Sequence, residues 1–182
     1  MESADLDFLE TFIIMVFEFV PKKLTKDSFK PFGQVIERNE AERILINEGT
    51  TERFHDLANV DVKSNNGCPI ISIFRGQPRP QPIKIKMMER HPLGSQAFMP
   101  LQNQSYYVVV AEEAAEVNPM DLHVFLANGN QGVNYNRNIW HHPLLVSQEN
   151  NEFLVIDRGG VEDNCEEHWF TEKQGFAELN IK

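Results

Sequence analysis

The chain has 182 residues, 41% of them hydrophobic and 24% charged, which is the composition of one globular domain and not of a disordered tail or a fibrous repeat. Its 17 basic and 27 acidic residues leave a net charge of -10, so a phosphate backbone is an unfavourable partner and no nucleic acid is expected. Two cysteines, Cys68 and Cys165, are too few for a disulfide framework and lack zinc-site spacing, which predicts reduced thiols in a cytoplasmic protein.

Residues 1–15 read as an acidic N-terminal extension and 16–182 as a single domain. The apolar run 12–17 is short, follows no basic residue and stops at Glu18, so neither a signal peptide nor a membrane span is expected. A first strand is predicted at 16–20. Thr25 as N-cap and Gly33 as stop predict one short helix that turns Phe29 and Phe32 to a core. Helical periodicity then ceases. Runs rich in valine, isoleucine and phenylalanine predict strands over 54–62, 70–75, 83–91, 95–101, 105–111, 121–127, 133–135, 139–146 and 153–158. Turn residues separate them at 78–82, 92–94, 118–119, 128–132 and 159–160. Many short strands punctuated in this way predict an all-β, antiparallel sandwich or barrel with a short N-terminal helix.

Two stretches concentrate chemistry. Residues 62–111 contain a single carboxylate, Glu89, and residues 122–148 a single charged side chain, Arg137, beside three histidines. Alternation along 83–91 places Ile83, Ile85, Met87, Glu89 and His91 on one face, and Lys84, Lys86, Met88 and Arg90 on the solvent face. Glu89 and His91 thus continue an inward stripe, where a carboxylate is costly unless it is paired, protonated or metal-bound. In the next strand Gln96 shares the face of Phe98. Further on, Ile139 and His141 share one face while Trp140 and His142 share the other, so at most one of the adjacent histidines reaches the interior. For a small anionic substrate, Arg75, Arg137 and Arg158 are the candidate guanidinium partners, and Tyr135 a candidate hydroxyl donor.

The pattern Glu89-x-His91-x4-Gln96 followed by His141 resembles the two motifs of the cupin barrel, with Glu89 in place of the first histidine and Gln96 in place of the glutamate. A closer likeness lies in ERHPLGSQAFMPL (89–101), GNQGVNYNRNIWHHPL (129–144) and FLVIDRGG (153–160), with LTKDSFKPFGQVIE (24–37) and RFHDLANV (53–60). These segments resemble the bacterial ureidoglycolate lyase family. The resemblance implies a cupin-like antiparallel β-barrel, of the double-stranded β-helix or jelly-roll kind, in a cytoplasmic homodimer without membrane association. It also implies cleavage of (S)-ureidoglycolate to glyoxylate and urea in allantoin degradation.

Such a cleavage needs a general base for the carbinol hydroxyl and a general acid for the departing nitrogen. Glu89 and His141 are the candidates, in either order, with His91 as a further catalytic residue. Gln96, Arg75, Tyr135 and Arg137 are the expected substrate-binding residues. The family's association with nickel implies a weakly held divalent metal on His91, Gln96, His141 or Glu89, and metal-free acid/base catalysis is the alternative. A non-catalytic cupin that binds a small acid of the glyoxylate type, or a cupin sugar isomerase, would present the same pattern.

Overall fold

The structure, a computed structural model, describes residues 14–181. In chain order its strands are β1 (Val16–Phe19), β2 (Lys22–Lys23), β3 (Gly33–Ile36), β4 (Glu42–Ile46), β5 (Thr51–His55), β6 (Cys68–Gly76), β7 (Ile83–Ile85), β8 (Met87–Arg90) and β9 (Gln96–Pro100). They continue as β10 (Tyr106–Ala111), β11 (His123–Ala127), β12 (Gly132–Tyr135), β13 (Trp140–His141), β14 (Leu145–Val146), β15 (Asn151–Gly159), β16 (Glu166–Trp169) and β17 (Phe176–Leu179). The expected extension lies, apart from Ile14 and Met15, outside the described residues.

Thr25 caps the one α-helix among the described residues, α1 (Lys26–Phe29), by a reciprocal exchange in which its hydroxyl accepts from the Ser28 amide and the Ser28 hydroxyl accepts from the Thr25 amide. Phe29 and Phe32 are fully buried, as the pattern predicts. Gly33, read as the helix stop, instead opens β3. A Cβ there would stand 1.9 Å from the Asn134 carbonyl oxygen, so glycine is what lets β3 lie against β12.

Alternation explains the layering. Tyr106, Val108 and Val110 of β10 face one core with Phe98, Tyr135, Phe153 and Val155, while Tyr107, Val109 and Ala111 face a second core with Ile83, Ile85, Ala177 and Leu179. A seven-stranded sheet containing β10 is therefore covered on one side by a five-stranded sheet ordered β3-β12-β9-β15-β6, and on the other by a three-stranded sheet ordered β1-β17-β7. Both faces of β10 are buried, which is why it reads as an unbroken apolar run.

The expected closed cupin-like barrel is not formed among the described residues. The five-stranded sheet ends at β3 and β6, and the seven-stranded sheet, ordered β16-β8-β13-β10-β11-β2 with β14 on β10, ends at β16 and β2. Closure would require such end strands to pair with each other; instead each sheet stays open and the pairing is mostly antiparallel. The run 83–91 shows why the pattern misled. It breaks at Lys86, with β7 bonding to β17 and β8 bonding to β13 and β16, so one stretch of chain serves two sheets. The expected solvent face is lost at the same point, since Met88 is fully buried and the Arg90 guanidinium lies 4.4 Å from the Trp140 ring centre. The strand predicted at 54–62 is confined to β5, which forms a hairpin with β4. The strand predicted at 139–146 is interrupted between β13 and β14.

Candidate active site

The polar residues of interest collect between the seven-stranded and five-stranded sheets, at one end of the first core. β8 supplies Glu89, directly opposite His141 of β13 in the ladder. Trp140 enters the second core, so its neighbour His141 faces the first. The imidazole plane of His141 stacks on Tyr135 of β12, with ring centres 4.3 Å apart and planes 12° from parallel. Gln96 of β9 is cross-strand neighbour to Tyr135, and His91 follows directly after β8. Glu89, His91, Gln96, His141 and Tyr135 therefore meet.

Both histidines are oriented by the backbone. His91 donates from Nδ1 to the Asn164 carbonyl at 2.6 Å, and His141 donates from Nδ1 to the Ile139 carbonyl at 3.0 Å. Their Nε2 atoms are thereby turned inward. His141 Nε2 is buried, has no hydrogen-bond partner among the described residues and faces Glu89 Oε1 at 3.5 Å. His91 Nε2 lies 3.2 Å from Gln96 Oε1, and Gln96 Nε2 donates to Asp157 Oδ2 at 3.5 Å.

Burial alone would raise the Glu89 carboxyl, but the adjoining His141 imidazole and the charges of His141, His91 and His142 outweigh it and hold the group below its ordinary value. Burial and the neighbouring His141 lower His91, against the opposing effects of the Asn164 carbonyl, Glu89 and Gln96. Glu89 is thus a carboxylate at neutral pH beside a neutral His91. Burial, then the Glu89 charge, raises the Tyr135 phenol and keeps it a neutral donor.

The donor set suits a divalent cation. Ligand atoms of Glu89, His91 and His141 all lie within 4.8 Å of one another. The two Nδ1–H groups bound to carbonyls leave Nε2 as the atom each histidine would offer a metal, the usual outer support of ligating histidine, although His91 Nε2 would first part from Gln96 Oε1. Glu89 also belongs to a second such group with Cys165 and Glu167, in which Cys165 Sγ stands 4.0 Å from Glu89 Oε2. Burial, then the charges of Glu89, Glu167 and Asp163, raises the Cys165 thiol.

The expected arginines fare unevenly. Arg75 is not brought to the site. It is exposed, donates from Nε and Nη2 to Glu152 Oε1, and lies level with Glu152 on β15, five strand positions or about 17 Å from Asp157. Arg137 lies in the turn whose Asn138 amide donates to the His91 carbonyl, and its own Nη1 donates to Ser64 Oγ at 2.6 Å. Arg158 is buried on the opposite face of β15. It donates to the Ser64 and Asn65 carbonyls and to Glu162, and a Cβ on Gly160 would lie 2.5 Å from its Nη1. It ties two loops together and does not face Glu89. Asn164, Asp157 and Cys165 are not expected site residues from sequence; their places depend on pairings across 61 to 76 residues.

His142 is buried as well as His141, against the expectation that at most one of them reaches the interior, because both faces of this sheet are covered. It lies outside the cluster, and its Nδ1 donates to the Pro143 carbonyl at 2.7 Å. Burial foremost drives its pKa to about 4, against the opposing Pro143 carbonyl. Between pH 6.5 and 4 the unfolded chain therefore binds a proton that the native state refuses. The His142 contribution is complete above pH 6.5 and is lost as pH falls toward 4, by an amount of about 3 kcal/mol. Chemical denaturation at pH 7 and pH 4.5 should show a markedly smaller loss for His142→Asn than for the wild type. Equal losses would assign the acid sensitivity elsewhere.

Comparison with known proteins bears on this site. The family described as ureidoglycolate lyase matches residues 17–177. The ureidoglycolate lyase of Brucella anthropi is 55% identical over 153 residues, covering 84% of this chain and 90% of that protein. The ureidoglycolate lyase of Burkholderia cepacia is 51% identical, covering 80% of this chain and 82% of its own length, and that of Pseudomonas syringae pv. tomato is 48% identical, covering 83% and 89%. A solved 3,4-ketoisomerase from Thermoanaerobacterium thermosaccharolyticum superposes with a TM-score of 0.41 at 12% identity, covering 72% of this chain and 84% of that one.

Proposed function

The chain belongs to the ureidoglycolate lyase family, and on that premise we propose how its own residues split ureidoglycolate into glyoxylate and urea. The enzyme is a carbon-nitrogen lyase of allantoin degradation. Its substrate carries a carboxylate, a hydroxyl and a ureido nitrogen on one carbon. Glu89 takes the hydroxyl proton, the carbonyl of glyoxylate forms as the carbon-nitrogen bond breaks, and the bonding electron pair leaves on nitrogen. The hydroxyl proton passes from Glu89 Oε1 to the lone pair of His141 Nε2, which delivers it to the nitrogen to complete urea. The proton taken from the hydroxyl is the proton delivered, so the pair ends as it began. The observation that supports these roles is the 3.5 Å approach of those atoms, with the buried Nε2 offered no other partner among the described residues. The lowered Glu89 pKa favours the base role for the carboxylate. His91 and Gln96 orient the reacting groups, Tyr135 donates its hydroxyl, and Arg137, in the turn bonded to the His91 carbonyl, supplies the cation for the substrate carboxylate.

A divalent ion, nickel by family resemblance, would be held by His91, His141 and Glu89 and would polarise the substrate hydroxyl. Those are the atoms of the acid/base pair, so the two schemes are alternatives. Full activity after exhaustive chelation selects acid/base chemistry; loss restored by a divalent salt selects the metal. The activity itself is tested by incubating purified protein with ureidoglycolate and measuring both products. Equimolar urea and glyoxylate are expected, and ammonia in place of urea would overturn the lyase assignment.

No helix among the described residues is long and apolar enough to cross a membrane. Two exposed free cysteines support a reducing, cytoplasmic setting. A homodimer is supported by β6, a nine-residue strand that among the described residues is bonded on one side only, and whose outward Ile71 and Ile73 are 70% and 56% exposed. A two-fold axis can lay two such edges antiparallel and cover these isoleucines. Light scattering after size exclusion should give twice the chain mass for the wild type and the single-chain mass for Ile71→Asp/Ile73→Asp. A monomeric wild type, or a dimeric variant, would reject this surface.

A further inference from the structure

One acceptor beside the site has no donor. Asp157 stands next to Ile156 on β15, which pairs with Ala97 of β9, so Asp157 is level with Gln96 and, across one more strand, with Tyr135. The three side chains form a row on the sheet face that looks toward Glu89 and His141. Gln96 Nε2 occupies Asp157 Oδ2, whereas Asp157 Oδ1 is buried and accepts a hydrogen bond from nothing among the described residues. A buried carboxylate oxygen left without a donor is costly, and such groups are normally satisfied by protein, water or ligand.

Resting on the lyase reading above, we propose that Asp157 is the residue that recognises the ureido end of the substrate, with Oδ1 accepting an N–H of the terminal amide. The substrate's chemistry narrows the choice of donor. Its hydroxyl is committed to Glu89 and its carboxylate is repelled by a second carboxylate, which leaves the ureido NH2 as the group that Asp157 attracts. Orientation follows: the ureido end lies toward β15, the reacting carbon lies over Glu89 and His141, and the carboxylate points away from Asp157. Gln96, held by Asp157 on one side and touching His91 on the other, keeps that row in register.

The isosteric Asp157→Asn turns an acceptor with a full charge into an amide and leaves the shape unchanged. A lost charge-assisted hydrogen bond in the bound state should raise KM for ureidoglycolate about 10- to 100-fold. Inhibition by glyoxylate, which lacks the ureido group, should stay within about twofold. If Asp157 only supported Gln96 and the local packing, glyoxylate inhibition would weaken along with KM. An unchanged KM, a loss confined to kcat, or a parallel loss of glyoxylate inhibition would each overturn the assignment. Asp157→Ser carries the same comparison should the asparagine variant fail to fold. Wild-type release of equimolar urea and glyoxylate is the control: its absence fails the lyase reading, whereas an unaltered KM in an active variant fails Asp157 alone.

Discussion

Substituting Glu89→Gln is expected to lower kcat by about 10²- to 10⁴-fold, the usual contribution of a positioned general base, with a much smaller change in KM. Glutamine keeps the shape at the crossing of β8 and β13 and removes only the charge. Stability should fall as well. The fold holds the Glu89 carboxyl below its ordinary pKa despite burial, so ionised Glu89 contributes stability above the ordinary carboxylate range, and that contribution is lost as pH falls through the lowered value. Thermal unfolding at neutral pH should therefore place the variant below the wild type, with the gap closing in acid. The two readouts separate roles. A carboxylate that serves only as an ion-pair partner would give the loss of stability with turnover nearly intact, and that result would remove Glu89 from the mechanism.

Much of this centre was legible because strand geometry is local. The two-residue period kept Glu89 with His91 and separated His141 from His142, because those assignments depend on pleating and not on how sheets close. The stripe itself does not hold, since Ile83 and Ile85 lie in the second core with Met88. The barrel was a different matter. Closure depends on which strands pair at the edges, and nothing in 83–91 announces that Lys86 divides it between two sheets. Asn164 and Cys165 were hidden for a related reason. Nothing within the acidic turn after Gly160 marks them, yet the pairing of β16 with β8 brings Cys165 against Glu89 and the preceding turn sets the Asn164 carbonyl on His91. Arg75 errs in the opposite direction. An arginine closing an apolar strand resembles an anion site, but its cross-strand neighbour is Glu152, and the two satisfy each other at the surface.

The pairing of Glu89 with His141 carries the second large effect. His141→Asn retains a side-chain donor that can reach the Ile139 carbonyl, removes the inward Nε2 and uncovers the ring of Tyr135. Turnover should fall by about 10²- to 10⁴-fold through loss of the general acid. Stability should drop by about 1 to 3 kcal/mol, because the asparagine cannot replace a buried aromatic stack. Structural damage alone would also slow the enzyme, so the decisive measurement is the double variant Glu89→Gln/His141→Asn. Two groups that exchange one proton act as a unit, and removing the second after the first costs little. The double variant should thus turn over about as slowly as the slower single variant, provided near-ultraviolet circular dichroism shows an intact core. A rate equal to the product of both losses would mean that the two residues work independently, and the shared-proton pair would have to be abandoned even if each residue proved essential.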